Sequence, residues 1–201
     1  MKTAAHLPPA IARIGYTETG LASWYGHPYH GRQAANGEIY DMEKLTAAHR
    51  TLPFNTWVRV ENLGNSKTVE VRITDRGPFV DGRIIDLSHR AAQDISMIGP
   101  GVAQVRMTVI QTPQSGPETA ASPALYAVQV GVFRDRRNAE KVRSDMAARY
   151  GAARIVPREG SPMMWRVLVG SEPTEDGATA LSERIRRESF EKSAFVVRLD
   201  S

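Results

Sequence analysis

Short runs in which apolar and polar residues alternate dominate the chain between Gly20 and Ile110. Successive side chains of a β-strand point to opposite faces, so this period of two predicts strands. Four runs show the pattern: Leu21–Tyr25, Thr56–Val60, Lys67–Thr74 and Val105–Ile110. A hairpin turn is predicted at Leu63-Gly-Asn-Ser66, and a helix at Ser88–Ile98 with Ser88 as its N-cap. Many short strands with one short helix predict a closed or nearly closed β-barrel.

The C-terminal part alternates between strand and helix patterns. The predicted strands are Leu125–Phe133, Ala153–Pro157, Met163–Gly170 and Ala194–Leu199, and the predicted helices are Asn138–Tyr150 and Ala178–Glu188. The order β-α-β-β-α-β predicts an α+β domain of the ferredoxin-like, split βαβ kind, with both helices on one face of the sheet. We expect the opposite face to remain open and to offer a binding platform.

A break between the two patterns sets the expected domain boundaries. Residues 111–123 contain three prolines, one glycine and no large apolar side chain, which is typical of a flexible linker. Residues 1–17 lack periodicity and are expected to form a tail. At 201 residues the chain is long enough for two small domains, which we place at residues 18–110 and 124–201.

Composition narrows the possible functions. The chain has no cysteine, which excludes disulfides, thiolate metal sites and a cysteine nucleophile. The net charge of +4 is small, and without a run of about five basic residues we expect no nucleic-acid partner. No stretch of about 18 apolar residues and no signal-peptide core occur, so we expect a soluble chain without a transmembrane segment. If the natural protein is exported, its leader or lipid anchor has been removed.

Two carboxylates are the main candidates for chemistry, because no Ser-His-Asp signature, phosphate-binding loop or metal-spaced histidine cluster occurs. Glu38 follows an Asn-Gly turn that would place it at the mouth of a groove. Asp75 ends the longest strand of the first domain, where Gly77 and Pro78 turn the chain. A carboxylate at a strand end facing a cleft is typical of a polysaccharide-cleaving acid. Spacing alone favours structural roles instead, with Glu38 as a solvated surface acid and Asp75 as a partner of Arg76 or a cap of the turn.

Other polar and aromatic residues of this region could have structural or functional roles. His49 is either part of a site or a polar core residue satisfied by the backbone. Asp86 is expected to cap the helix that follows it. Trp24, Tyr25 and Tyr29 could stack on sugar rings or belong to the core.

A resemblance to a known family favours the functional interpretations of these residues over the structural ones. The chain contains, in order, Gly20-Leu-Ala-Ser-Trp-Tyr-Gly26, Ala35-Asn-Gly-Glu38, Leu45-Thr-Ala-Ala-His49, Thr74-Asp-Arg-Gly-Pro-Phe79 and Arg83-Ile-Ile-Asp-Leu-Ser88. This series resembles the rare lipoprotein A (RlpA) family. The resemblance implies an all-β double-psi β-barrel with Glu38 and Asp75 as catalytic carboxylates and His49 beside them. We add Trp24, Tyr25 and Asp86 as substrate contacts of the barrel.

The family resemblance also implies a reaction. Such enzymes cleave the β-1,4 bond between N-acetylmuramic acid (MurNAc) and N-acetylglucosamine (GlcNAc) of peptidoglycan without water, leaving a 1,6-anhydro ring. No metal or organic cofactor is expected. We favour Asp75 as the acid/base and Glu38 as the group that sets its pKa or stabilises the oxocarbenium-like state.

The second domain carries a resemblance of its own. Tyr126–Phe133 and Trp165–Gly170 are similar to the first and third strands of a SPOR domain, a septal module that binds peptide-free glycan. The loop after the third strand, Ser171-Glu-Pro173, departs from the Gly-Pro-Phe that is common in that family. Strand alternation predicts that four side chains face away from the helices: Gln129, Met164, Arg166 and Leu168. The resemblance implies that these side chains contact glycan. They could also form only a solvated face.

Our first reading is therefore an endolytic lytic transglycosylase that acts on denuded glycan at the division septum. We expect a monomer that is periplasmic or associated with the outer membrane. The main alternative is a non-catalytic septal glycan-binding protein or an expansin-like protein that loosens the wall. A nucleic-acid-binding barrel is the weakest option.

Overall fold

The computed structural model describes residues 13–113, 125–158, 163–189 and 193–199. The predicted tail and linker lie mostly outside the described residues. Residues 17 and 111 are described and belong to the first and last strands of the barrel.

The first part of the chain forms a closed barrel of six strands. They are β1 (Thr17–Tyr25), β2 (Thr46–Ala48), β3 (Trp57–Asn62), β4 (Thr68–Asp75), β5 (Arg83–Ser88) and β6 (Val102–Gln111). Around the barrel their order is β1-β5-β2-β4-β3-β6. The β1–β5 and β2–β4 pairs are parallel, and the other pairs are antiparallel. A short helix, α1 (His89–Asp94), connects β5 to β6.

The barrel interior is filled by every second residue of its longer strands. Fully buried valine, isoleucine and methionine side chains of β3, β4 and β6 meet there: Val58, Val60, Val71, Ile73, Val105, Met107 and Val109. Burying one such side chain contributes about 1.5–3 kcal/mol. The alternation that predicted these strands is thus confirmed, and it leaves strand ends and loops to form a site.

Two strands, β2 and β5, were not predicted, and their length and burial explain why. β2 has only three residues, and β5 lies between β1 and β2 with Ile84, Ile85 and Leu87 all buried. A strand that is covered on both sides shows no alternation. The expectation that Asp86 caps a helix is wrong, because Asp86 lies within β5. Ser88 is the N-cap, as predicted, since its hydroxyl accepts a hydrogen bond from the Ala91 N–H at 3.2 Å.

The second part forms a four-stranded antiparallel sheet with two helices. Its elements are β7 (Leu125–Phe133), α2 (Arg136–Tyr150), β8 (Ala153–Arg158), β9 (Met164–Glu172), α3 (Glu175–Glu188) and β10 (Phe195–Leu199). The strand order is β10-β7-β9-β8. Both helices begin earlier than predicted, because their polar first turns follow the N-caps Asp135 and Thr174. No helix among these described stretches is long and apolar enough to cross a membrane.

The predicted inward face of this sheet is confirmed. Val128, Val130, Val167 and Val169 pack with Ala139, Met146 and Ile185 of the two helices. These residues alternate with the set that was predicted to face away from the helices.

The opposite face of the sheet is covered rather than open. Gln129 and Leu168 are each only 2% exposed. Leu168 packs with Ala127 and Val197 in a cluster that includes Phe79 of the barrel. The expectation of an open platform is therefore wrong, and the composition of the face supplies the reason. An exposed cluster of this kind would be an apolar patch, and docking on the barrel removes it from water.

Polar and aromatic contacts reinforce this docking. The rings of Phe79 and Phe195 lie 6.1 Å apart, and the Arg166 guanidinium lies 5.8 Å from the Phe79 ring. Arg186 forms an ion pair with Asp81 at 3.1 Å. The loop between β4 and β5 therefore lies between the two domains.

Leu168 offers a direct test of the docked arrangement. Leu168→Asp should separate the domains without unfolding them, because an unpaired carboxylate is costly in the interface but hydrated once the face opens. We expect a larger radius of gyration in X-ray scattering and two separate thermal transitions. Val167→Asp is the matched control: Val167 is fully buried under the helices, so the charge should unfold the second domain. An unchanged radius for Leu168→Asp would contradict the docking.

Candidate active-site groove

A groove of about 350 Å³ opens where β1 and β4 end and the β4–β5 loop begins. Its lining includes a serine, carboxylates, arginines and aromatic rings: Ser23, Trp24, Tyr25, Tyr29, Asp75, Arg76, Phe79, Arg83, Asp86 and Arg158. A second recess of about 200 Å³ shares Asp75, Arg76, Phe79 and Arg158 with it. Pro157 and Arg166 of the second domain also line this recess. Both domains therefore contribute to the surface around Asp75.

Asp75 is held firmly at the end of β4. Its Oδ1 accepts hydrogen bonds from the backbone N–H groups of Ala35 at 3.0 Å and Arg76 at 2.8 Å. The turn that follows depends on Gly77, whose φ of 149° is rare for residues with a side chain. Both hydrogen bonds use Oδ1, which leaves Oδ2 for a substrate as far as the described residues show.

Burial raises the pKa of Asp75 above its ordinary value. The two backbone N–H groups and the charges of Arg158 and Arg76 oppose this effect without overcoming it. A carboxyl that stays protonated to higher pH is suited to donating a proton.

Asp86 is the second carboxylate of the groove. Its Oδ1 accepts a hydrogen bond from the Ser23 hydroxyl at 2.5 Å, and Arg83 lies 3.4 Å from its Oδ2. Burial, the largest influence, raises the pKa of Asp86 above its ordinary value, and the charge of Asp75 adds to this effect. The Ser23 hydrogen bond and the Arg83 charge oppose the rise without overcoming it. Asp75 and Asp86 therefore influence each other electrostatically within one groove.

Glu38 does not line this groove. It makes a two-pronged ion pair with Arg72, at 2.8 and 2.7 Å, and its side chain is 51% exposed. Hydrogen bonds from Arg72 are the largest influence on Glu38 and lower its pKa. Arg72 alternates with the inward-pointing Val71 and Ile73, so its side chain lies on the outer side of β4. The ion pair holds Glu38 on that side. The expected pairing of Glu38 with Asp75 in one groove is not what the structure shows.

His49 lies behind Asp75 and faces a different cleft. Its side chain is buried; Nδ1 accepts hydrogen bonds from the N–H groups of Thr51 and Leu52, and Nε2 lies 3.5 Å from Glu18. Burial lowers the pKa of His49, which keeps the imidazole neutral near pH 7. The His49 backbone N–H donates to the Asp75 carbonyl at 3.1 Å. His49 thus contacts Asp75 through the backbone, and these contacts fit the reading as a satisfied polar core residue.

The predicted aromatic residues do line the groove. Tyr25 stacks on Tyr40 with ring centroids 4.4 Å apart, and Tyr29 meets Tyr25 edge-on at 6.1 Å. The buried Tyr25 hydroxyl has no hydrogen-bond partner within the described ranges. Trp24 packs edge-on against His89 at 5.4 Å.

The four predicted glycan contacts of the second domain have different surroundings. Gln129 and Leu168 are covered by the barrel, and Met164 is half-buried at the start of β9. Arg166 donates from Nε to the Gln129 side chain at 2.6 Å and borders the second recess. Burial, with the charges of Arg158 and Arg76, lowers the pKa of Arg166 to about 10.

Sequence reasoning missed several side chains of the groove, among them Phe79, Arg83 and Arg158. Phe79 and Arg83 lie within the motifs that carried the family resemblance, so the sequence could have indicated them as site residues. Arg158 belongs to the second domain, and no local pattern connects it with Asp75.

Comparison with known proteins places the chain in a family. A family model described as lytic transglycolase, of the DPBB (double-psi β-barrel) class, matches residues 17–107, and a SPOR domain model matches residues 122–198. The endolytic peptidoglycan transglycosylase RlpA of Vibrio cholerae is 39% identical over 90% of this chain and 69% of its own length. RlpA of Campylobacter jejuni is 42% identical over 71% of this chain and 58% of its own length. A Streptomyces papain inhibitor aligns at a TM-score of 0.41 with 24% identity, covering 49% of this chain and 97% of the inhibitor. The two RlpA relatives and the two matched domains show that the chain belongs to the RlpA family of endolytic peptidoglycan transglycosylases.

Proposed function

We propose that this protein is an endolytic lytic transglycosylase that cleaves MurNAc-β-1,4-GlcNAc bonds in denuded glycan strands and forms 1,6-anhydroMurNAc ends. The observation that carries the proposal is Asp75, a half-buried carboxyl with a raised pKa in a groove lined by aromatic rings. Aromatic faces suit sugar rings, and a proton donor suits the glycosidic oxygen. The names of the RlpA relatives agree with this chemistry.

Asp75 can perform both proton transfers of the reaction. Protonated Asp75 gives its proton to the GlcNAc oxygen as the bond from MurNAc C1 to that oxygen breaks. The resulting carboxylate then accepts the proton of the MurNAc C6 hydroxyl, whose oxygen bonds to C1. One C–O bond breaks, one forms, and Asp75 returns to its starting state without water. Oδ2 is the oxygen for these transfers, because Oδ1 accepts two backbone hydrogen bonds.

We assign the partner role to Asp86 rather than to Glu38. Burial raises the pKa of both carboxyls. We base the division of roles on contacts: the Ser23 hydroxyl and the Arg83 guanidinium face Asp86 and favour its ionised form, whereas Asp75 accepts its hydrogen bonds at Oδ1 and presents Oδ2 for proton transfer. An ionised Asp86 would stabilise the positive charge that develops on the sugar ring. Glu38 supports the loop that supplies the Ala35 N–H to Asp75, since its ion pair with Arg72 ties that loop to β4. His49 remains a residue that positions the end of β4.

The second domain supports a role in glycan binding. Its strand order places β7 and β9 at the centre and β10 and β8 at the edges, and we class it as ferredoxin-like on that basis. The SPOR match supports targeting to the division septum in the periplasm, and we propose a monomer with a lipid anchor in its precursor. In the docked arrangement Arg166, which lines the second recess, and the half-buried Met164 can contact glycan. Gln129 and Leu168 can do so only where the domains separate.

Product analysis on denuded sacculi tests this function. The protein should release fragments that mass spectrometry identifies by the 1,6-anhydro ring, one water lighter than a hydrolysed end. Sacculi that retain their stem peptides are the comparison and should yield less product. Binding to sacculi without any anhydro product would support the non-catalytic, wall-loosening alternative and overturn the enzymatic assignment.

A further inference from the structure

Arg158 brings a positive charge from the second domain to the catalytic carboxyl of the barrel. It is the last residue of β8 and lines both the groove and the adjoining recess. Every other groove-lining residue belongs to the barrel. The docked second domain therefore completes the surface on which a substrate would lie.

The neighbouring arginines are engaged in protein contacts. Arg76 donates to the carbonyls of His49 and Leu52 and lies 3.7 Å from the Phe54 ring. Arg83 faces Asp86, and Arg166 donates to Gln129.

Arg158 differs from these residues. Its side chain forms no hydrogen bond or ion pair with the residues that the structure describes, although its charge acts on Asp75. A guanidinium presents a planar fork of donors that matches a carboxylate. Its position in the groove is thus that of a binding group for an anion.

We propose that Arg158 is a substrate-binding residue that recognises a carboxylate on the sugar at the scissile bond. This inference rests on the proposed function, because it takes the substrate to be a MurNAc-containing glycan. The carboxylate of MurNAc is its lactyl group, carried by the ring whose C1 and C6 react. A stem peptide converts this group into an amide and removes its charge. Arg158 therefore makes the barrel selective for strands without peptides, and the selectivity depends on domain docking.

Arg158 could instead act only through the charge state of Asp75. Removing a nearby positive charge would raise the pKa of Asp75 further, and the pH profile would move with it. Such an effect would be the same for every substrate. Binding of the lactyl group would instead depend on whether the substrate carries a carboxylate.

A two-substrate experiment on the full chain separates these possibilities. Denuded glycan is compared with the same glycan after carbodiimide activation and borohydride reduction, which turns the lactyl carboxylate into an alcohol. Arg158→Gln removes the charge, and Arg158→Lys keeps it. Arg154→Gln is the matched control. Arg154 lies four residues before Arg158 on the same face of β8, is exposed, and lines neither the groove nor the second recess.

We expect the wild-type protein to lose about tenfold in kcat/KM when the carboxylates are reduced, the effect of one charge-assisted hydrogen bond. Arg158→Gln should lose about the same factor on denuded glycan and should treat both substrates alike. Arg158→Lys should keep part of the preference, and Arg154→Gln should match the wild type.

The remaining outcomes contradict either the assignment of Arg158 or the proposed function. An Arg158→Gln protein that is folded in thermal unfolding and keeps the full carboxylate preference overturns the assignment. So does an equal loss on both substrates with a displaced pH profile. A wild-type protein that releases no anhydro product from denuded glycan contradicts the proposed function instead.

Discussion

Replacing Asp75 by asparagine should lower the release of anhydro products by about 10²–10⁴-fold, the usual contribution of general acid–base catalysis. Asparagine has no proton to transfer, but its Oδ1 can still accept the N–H groups of Ala35 and Arg76. Product release from denuded glycan is the measurement. Asp94→Asn is the matched control, because Asp94 is an exposed acid on α1 that pairs with Arg90. An Asp75→Asn protein with wild-type activity would place the acid elsewhere.

The same variant should be more stable than the wild type at neutral pH. Because the folded-state pKa of Asp75 is raised, the contribution of this residue to stability is fully present below its ordinary value of 3.8 and is lost as the pH rises through the raised value. Asparagine does not titrate. The difference in unfolding temperature between Asp75→Asn and the wild type should therefore grow with pH. Wild-type activity should fall as the pH rises through the raised pKa, since the acid form is then lost.

Asp86→Asn and Glu38→Gln should differ strongly in activity. Asp86 lies in the groove and influences Asp75, so its loss of charge should lower turnover by about 10²-fold, as for other groups that stabilise transition-state charge. Glu38→Gln removes a half-exposed ion pair outside the groove and should lower activity by less than about tenfold. The free energy of unfolding of Glu38→Gln should fall by less than about 1 kcal/mol.

Parallel assays of the two variants on denuded glycan, with urea unfolding of each, decide between the partners. If Glu38→Gln were as inactive as Asp75→Asn while Asp86→Asn remained active, the catalytic pair would be the one that the family resemblance implies. Such a result would require Glu38 to leave Arg72 and enter the groove when substrate binds.

The sequence alone determined most of the secondary structure and part of the site. Alternation predicted β1, β3, β4, β6 and the four strands of the second domain, because each of these strands has one face toward a core and one away from it. The motif around Gly77 and Pro78 located Asp75 at a strand end, because a local turn determines where a strand stops. These are properties of short stretches of chain, and short stretches were sufficient to predict them.

Only the tertiary structure decided which groups meet Asp75. Asp86 reaches the groove because β5 pairs with β1 and β2 in a closed barrel, and β5 itself lacks alternation because it is buried. Glu38 looked equally suitable from its turn, but Arg72 holds it on the outer side of β4. Arg158 and the covered face of the second sheet depend on the packing of one domain against the other. Pairing between distant strands and docking between domains depend on the whole chain, so no local pattern predicts them.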